Sequence, residues 1–177
     1  MNNKGFSLVE LIVVVLIIGI LSGGAAMSLS IIYNADTNRC ARRICDYAQE
    51  ARDKARGLDN ASSYVALKIW VNSEKDYVAC VYQVTGSDFT PLNEELKVSN
   101  YKADISAYQH STDTLKALAN AGDYVLFEFK KSTGGIKSTT VNGTKTTGDD
   151  MYLDLYINGS ETHTVTLVPL TGKAYIR

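Results

Sequence analysis

The chain has 177 residues and a mass of 19.3 kDa, which leaves room for one domain of ordinary size and excludes a large multidomain enzyme. Hydrophobic residues make up 45% and charged residues 21%, a composition typical of folded rather than disordered or collagen-like chains. A formal net charge of -1 lacks the broad positive field of nucleic-acid-binding proteins, so no nucleic-acid partner is predicted.

The amino-terminal part contains an uncharged, strongly apolar segment that runs from Leu11 to Ile32. As an α-helix rising ~1.5 Å per residue, it would cover roughly the 30 Å of a bilayer's hydrocarbon core. The positive charges ahead of it are Lys4 and the amino terminus, so the positive-inside rule places its start in the cytoplasm. The segment therefore predicts a single membrane-spanning helix, with everything after Ile32 outside the cytoplasm.

Glu10 stands at the edge of this segment, and an acidic side chain at the centre of a membrane helix costs about 2.5 to 3.5 kcal/mol on membrane-insertion scales. No Lys, Arg or His follows it within two helical turns, so a cationic partner has to come from another molecule. Two simpler interpretations stay open. One is a plain signal anchor in which Glu10 reaches the lipid headgroups, and the other is a secretory signal peptide with Leu11–Leu21 as its apolar region and Ser22–Ala26 as its cleavage site.

The run from Lys4 to Ile12, KGFSLVELI, resembles the processing site of type IV pilins and type II secretion pseudopilins. A short basic leader ends in Gly, Phe follows, and Glu stands five positions after that Gly. The resemblance implies that a prepilin peptidase cuts after Gly5 and N-methylates the new terminus at Phe6. Glu10 of one subunit would then neutralise the Phe6 amine of a neighbour inside a low-dielectric helix bundle, which fixes the register between subunits.

The same resemblance implies partners and a location. The partners are copies of the chain or other pilins in a helical filament, the prepilin peptidase, and an inner-membrane platform protein with its assembly ATPase. The location is the cell membrane before assembly and an extracellular or periplasmic filament afterwards. The implied packing surface of the filament core is formed, together with Glu10, by Leu8, Leu11, Ile12, Val15 and Ile18.

After Ile32 the sequence becomes amphipathic, with a stripe of mostly small apolar residues at helical spacing. We expect this helix to end near Arg56, with Gly57 as its stop, and to lie across a sheet. Because the apolar segment Leu11–Ile32 contains no Pro, any break in the helix is expected at Gly23–Gly24. The stripe consists of Ala41, Ile44, Ala48, Ala51, Ala55 and Leu58.

The remainder alternates short β-rich runs with turn residues, which predicts strands. The pairs Asn142-Gly143 and Asn158-Gly159 are typical of hairpin turns, and only Ile105–Ala121 is expected to be helical again. The predicted strands are Ser62–Val71, Tyr77–Val84, Tyr124–Lys130, Met151–Ile157, Thr162–Val168 and Ala174–Ile176.

The predicted fold class is α+β, a long amino-terminal helix packed on an antiparallel β-sheet head, as in pilins. The expected organisation is a leader over 1–5, a membrane and filament-core helix over 6–32, an amphipathic continuation over 33–57 and a β-rich head over 58–177. The carboxyl-terminal run VTLVPLTGKAYI resembles H-type pseudopilins and related minor pilins. Major pilin, minor pilin and pseudopilin stay open as alternatives.

Three cysteines outside the membrane cannot all pair within one chain. Cys40 and Cys45 lie about 140° apart around the helix, so they do not easily bridge each other. Cys80 with Cys40 or Cys45 is a possible disulfide, and three buried thiols are the alternative.

No catalytic, cofactor or metal site is predicted. His110 and His163 neighbour no nucleophile motif, and their distance from the cysteines does not suit zinc. The aspartates Asp149, Asp150 and Asp154 lack the alternating oxygen ligands of a calcium loop. The strand tyrosines Tyr64, Tyr77 and Tyr82 are expected in the core or on a sheet face.

Two functional hypotheses follow from the sequence. The first is a structural pilin-like subunit that performs no chemistry. The second is a membrane-anchored or secreted ligand-binding or adhesive module, whose β-rich head captures a ligand and whose amino-terminal helix is an ordinary signal anchor.

Overall fold

The computed structural model describes residues 7–58, 62–99, 103–159 and 162–177, with the backbone alone over 24–34. Over the described residues it begins with one long helix, α1, and continues in strands joined by turns, with a 3-10 turn at Gly148–Asp150. The helix α1 covers Leu8–Arg56. The strands are β1 Ser63–Val71, β2 Tyr77–Thr85, β3 Asp88–Pro91, β4 Leu96–Lys97, β5 Asp104–Gln109, β6 Thr114–Ala117, β7 Tyr124–Phe129, β8 Ile136–Val141, β9 Thr144–Thr146, β10 Tyr152–Asn158, β11 Thr162–Leu167 and β12 Ala174–Ile176.

The strands form two sheets in which every pairing is antiparallel. The first sheet has the order β3-β2-β1-β7-β8-β9, and β4 also pairs with β2. The second sheet has the order β12-β11-β10-β5-β6. The predicted α+β class with an antiparallel head is confirmed.

The carboxyl-terminal half of α1 contacts both sheets, β1, β2 and β7 of the first and β10, β11 and β12 of the second. Its predicted stripe is confirmed, because Ala41, Ile44, Ala48, Ala51 and Ala55 are fully buried and Leu58 packs partly buried against the same core. Small side chains on the helix let the strands approach closely, so the large core residues come mostly from the sheets, for example Phe127, Phe129, Leu155 and Ile157.

The end of α1 agrees with the sequence prediction, since Gly57 caps a helix that ends at Arg56. No interruption falls at Gly23–Gly24, where the helical backbone is continuous. Basic side chains in this half bind carbonyl groups of the head rather than pointing freely into solvent. Arg52 Nε donates to the Thr171 carbonyl at 2.8 Å, Lys54 Nζ donates to that of Leu92 at 2.8 Å, and Arg43 donates to that of Lys97 at 2.7 Å.

The predicted strand pairs around β1 and β2, and around β10 and β11, are confirmed. The turn at Asn142-Gly143 joins β8 to β9, with φ of 48° and 83° at its two residues, as a type I′ hairpin requires.

The weak helix predicted over Ile105–Ala121 is wrong. This stretch forms the hairpin of β5 and β6, with Asp113 at a φ of 51° in the connection. Ile105 and Ala107 alternate into the core while β5 pairs along β10, so long-range pairing overrides a weak local helical preference.

The two sheets are joined at one corner by a close approach of two glycine turns. Ile136 N–H of β8 donates to the Pro169 carbonyl at 2.7 Å, which links the first sheet to the turn before β12. At that turn Gly172 has a φ of +65°, and a Cβ built on it would overlap the carbonyl oxygen of Gly134. Only glycine therefore fits at position 172.

We predict that Gly172→Ala destabilises the fold far more than Gly86→Ala. Both substitutions place an L-residue at nearly the same φ, +65° and +64°, which costs about 1–2 kcal/mol in either case. Only the first adds backbone overlap, because nothing lies within 4 Å of a Cβ at Gly86. Thermal unfolding of the two variants measures the difference, and equal destabilisation would contradict the close approach.

Candidate functional site

The amino-terminal half of α1 presents its apolar side chains to the outside. Every large apolar side chain from Leu8 to Leu21 is between 49% and 75% exposed. Because consecutive positions are all exposed, the apolar surface runs around the whole helix rather than along one stripe. A helix of this kind needs a covering from lipid or from other helices.

The sequence-predicted packing residues all lie within this exposed half-helix. Their exposed fractions are 75% for Leu8, 62% for Leu11, 54% for Ile12, 61% for Val15 and 56% for Ile18. At about 100° per residue they occupy one side of the helix. Glu10 follows Leu8 by two positions and is therefore turned about 200° away from it. The carboxylate and the packing residues accordingly face different directions.

Glu10 closes the first turn of α1 through a capping box with Ser7. The Ser7 side chain accepts from Val9 N–H at 3.3 Å, while Glu10 Oε2 accepts from Ser7 N–H at 3.0 Å. A carboxylate has about four acceptor positions. One backbone donor therefore leaves room for an incoming cation.

This capping box was not predicted from the sequence. Its signal is the spacing Ser-x-x-Glu directly before an apolar run. The consequence is that the helix begins at a fixed residue with its only early carboxylate held at the first turn, where the helix dipole also favours negative charge.

The predicted cleavage position Gly5 and the predicted mature terminus Phe6 lie outside the described residues, as does Lys4. A comparison with protein families covers this part of the chain. Residues 1–26 match the family model described as the prokaryotic N-terminal methylation motif. The chain carries the prepilin cleavage motif of type IV pilins and pseudopilins. The sequence-based recognition of this motif is confirmed.

Searches of curated proteins and of solved structures gave no match to this chain. The family match thus covers the amino-terminal motif, and the head is described by its own geometry. Among the residues with described side chains, no helical stretch combines the length and apolarity that a membrane crossing requires.

The three cysteines are free thiols in the structure, and all are buried. Burial raises the pKa of the Cys40 thiol to about 12 and that of the Cys45 thiol to about 11. Burial also raises the pKa of the Cys80 thiol, whose Sγ lies 3.3 Å from Asn93 Oδ1. Protonated buried thiols react slowly, so none of them has the character of a nucleophile.

The histidines and aspartates are dispersed, and the part of the chain that is described holds no cluster of three metal-ligating side chains. His110 Nε2 lies 2.8 Å from Asp154 Oδ2, and Asp150 accepts a hydrogen bond from Ser111. His163 lies instead beside α1, in a surface groove that Cys45 and Tyr175 also line.

We predict that iodoacetamide at pH 8 leaves the folded chain unmodified and alkylates all three cysteines once denaturant is added. The pKa of these thiols is 9.0 in the unfolded chain and higher in the folded chain. Above pH 9.0 the unfolded chain therefore loses protons that the folded chain keeps, and the stability of the fold falls as the pH rises. Mass spectrometry under non-reducing conditions counts the labels. A denatured chain with a single label and a mass deficit of two hydrogens would instead indicate a Cys80 disulfide with Cys40 or Cys45.

Proposed function

We propose that this protein is a structural subunit, a pilin or pseudopilin, of a type IV pilus or a type II secretion-like filament. One observation carries the proposal. The prepilin cleavage motif, matched over residues 1–26, includes a half-helix that exposes apolar side chains on all sides and holds a single early carboxylate, Glu10. Such a half-helix is suited to packing among copies of itself.

The proposed pathway starts in the membrane. Residues 1–5 form a leader in which Lys4 orients the chain with its amino terminus in the cytoplasm, and residues 6–32 anchor it while the head lies outside. Prepilin peptidase cuts after Gly5, and the new terminus at Phe6 is methylated. The mature subunit then moves from the lipid into the filament, where the helices of neighbours replace the lipid.

The geometry of α1 supports contact with more than one neighbour. Leu8, Ile12 and Val15 lie on one side of the helix, whereas Glu10 points to the other. One neighbour packs against the apolar side, and a second brings its Phe6 amine to Glu10. In the single chain the Glu10 carboxylate receives only the Ser7 N–H from the described backbone, so the amine adds a bond without breaking the cap.

Charge burial makes this contact selective. A carboxylate enclosed by apolar helices is strongly unfavourable unless it is paired, and breaking a buried pair by removing one partner typically costs about 3–5 kcal/mol. A subunit displaced by one helical turn leaves both the amine and the carboxylate unpaired. The pair therefore contributes more to register than to overall affinity.

The partners that follow from the proposal are copies of this chain or other pilins, the prepilin peptidase, an inner-membrane platform protein and an assembly ATPase. The proposed location is the cell membrane before assembly and an extracellular or periplasmic filament afterwards. The chain has a structural role in this account and performs no catalysis itself.

We predict that Glu10→Ala and Glu10→Gln leave processing intact and abolish incorporation into filaments, because an unpaired amine would have to be buried. Mass spectrometry of the mature chain should show a start at N-methyl Phe6 for the wild type and for both variants. Sedimentation of sheared filaments measures incorporation.

Glu74→Gln is the matched control, since it removes a carboxylate from an exposed turn of the head. Its filament yield should equal that of the wild type. Normal yield from Glu10→Gln would refute the charge-pair mechanism. A mature start near Met27, or an uncut Met1, would favour a secreted or anchored binding module over a filament subunit.

A further inference from the structure

The outward face of the first sheet carries an aromatic platform that the filament account does not use. We define the aromatic platform as Tyr64, Trp70, Tyr82, Phe89 and Tyr124. These residues come from the four adjacent strands β3, β2, β1 and β7, and on β2, β1 and β7 they alternate with core-facing residues. Beneath them a small cluster of Ala66, Val84 and Leu126 is buried on this outer face, separate from the main core.

Such a surface is unusual for the outside of an antiparallel sheet, where polar residues are expected. Phe89 is 47% exposed, and its ring meets that of Tyr82 edge to face at 5.6 Å. Trp70 is the only tryptophan of the chain. Phe89 is exposed, and the other four aromatic residues are partly buried. Solvent-accessible apolar surface of this kind on a sheet face is typical of interaction sites.

Lys68 lies at the centre of the aromatic platform. Its Nζ is 5.3 Å from the ring centroid of Trp70 and 5.3 Å from that of Tyr124, which places the ammonium between two π faces. None of the ion pairs of the described chain involves Lys68. Lys137 adds a second positive charge, 5.7 Å from the ring centroid of Tyr64. Two carboxylates also reach this face, Glu95 at 3.5 Å from the Tyr82 hydroxyl and Glu128, which pairs with Lys145. The positive charge of the face is therefore concentrated at Lys68 and Lys137.

Lys68 also lines a cavity of about 240 Å³ together with Phe89, Tyr124 and Leu126. Sites for drug-sized ligands are larger, roughly 300–1,000 Å³. This cavity therefore suits one ring-sized group with an acidic substituent, while the remainder of a longer ligand lies across the neighbouring rings.

Unpartnered polar groups adjoin the aromatic platform on the same face. Glu128 is two positions beyond Leu126 on β7, and it pairs in register with Ser138 of β8. Glu128 Oε2 and Ser138 Oγ are both buried without a hydrogen-bond partner, although Glu128 Oε1 binds Lys145. Buried polar groups are normally satisfied, so these two oxygens are available to hydrogen-bond water or a hydroxyl group of a ligand.

We propose that the aromatic platform binds an acidic saccharide, a chain of pyranose rings that carry carboxylates. Pyranose C–H groups pack against the electron-rich faces of aromatic rings, and a ring carboxylate forms a charge-assisted hydrogen bond with Lys68. Sugar hydroxyls can both donate and accept, which matches Glu128 and Ser138 if the Lys145 side chain moves aside.

The position of the face within the sheet favours a saccharide over an extended peptide. A peptide that adds to a sheet needs unpaired backbone groups at an edge strand. The aromatic platform is centred on β1, which is paired on both sides, by β2 and by β7, and of its five residues only Phe89 lies on an edge strand, β3. It therefore offers rings, a cation and side-chain oxygens. This inference goes beyond the proposed filament function and does not depend on it.

The test uses the fluorescence of Trp70 in the full chain, held in micelles of a detergent without a sugar headgroup. The probes are tetragalacturonic acid and its methyl ester, which keeps the rings and removes the charge. We expect the acid to change the Trp70 emission in a saturable manner, and the ester to bind at least about tenfold more weakly, which corresponds to about 1.4 kcal/mol.

Lys68→Met should weaken binding of the acid by a similar factor. Lys116→Met is the matched control, because Lys116 also lies over a tyrosine ring, 5.5 Å from that of Tyr152, but belongs to the second sheet. Its affinity should equal that of the wild type. Melting temperatures establish that both variants fold, and Tyr124→Leu replaces Lys68→Met if the latter does not.

Three outcomes would overturn the proposal. The first is equal binding of the acid and the ester, and the second is equal loss of binding in Lys68→Met and Lys116→Met. The third is no binding of the acid at millimolar concentration. If sedimentation then also shows a dimer that Tyr124→Leu dissociates, the face is assigned to a second copy of the chain. Filament yield is measured separately, so failure here leaves the filament account untouched.

Discussion

The exposed half of α1 is the constraint on which the rest of the account depends. Apolar side chains cover this half-helix on all sides, and one carboxylate, Glu10, lies among them. Water, lipid and protein neighbours therefore differ in how well they accommodate the half-helix. Lipid covers the apolar surface but leaves Glu10 without a cation. In the proposed filament, a bundle of processed copies would cover the same surface and supply an amine at each carboxylate. This difference between the two environments would favour assembly once the leader is removed.

The second half of the same helix determines the orientation of the head relative to the exposed half. Because α1 continues without interruption to Arg56, the alanine stripe that packs on both sheets belongs to the same rigid element as Glu10. Hydrogen bonds from Arg43, Arg52 and Lys54 to head carbonyls fix the rotation of the helix against the strands. The direction of Glu10 is thereby coupled to the orientation of the head. In a filament with this register, every head, and with it every aromatic platform, would have the same orientation relative to the helix α1 of its own subunit.

Local signals predicted much of this fold. The spacing of the alanine stripe, the stop at Gly57 and the Asn142-Gly143 turn depend on a few neighbouring residues, and the structure has them where they were predicted. The hairpin of β5 and β6 was mistaken for a helix because its burial pattern is set by β10, far along the chain. The short strands β3, β4, β8 and β9 were also missed as strands, since their polar residues carry little periodicity.

The features of the candidate sites also divide into those that the local sequence predicts and those that depend on the pairing of distant strands. The processing motif could be recognised from the nine residues Lys4–Ile12, and the family match supports this recognition. The capping box of Ser7 and Glu10 had a readable signal that was overlooked. The aromatic platform could not be predicted, because Tyr124 becomes a neighbour of Lys68 only when β7 pairs with β1. The alternation of residues along each strand predicts that tyrosines lie on a sheet face. The order of the strands determines which tyrosines lie on the same face.

A cryo-EM map of the assembled filament at side-chain resolution tests the central claim most directly. The account predicts that the Glu10 carboxylate of each subunit lies within about 4 Å of the methylated Phe6 amine of a neighbour, in surroundings without water. A map in which Glu10 faces solvent or lipid headgroups, with no amino terminus beside it, would contradict the account.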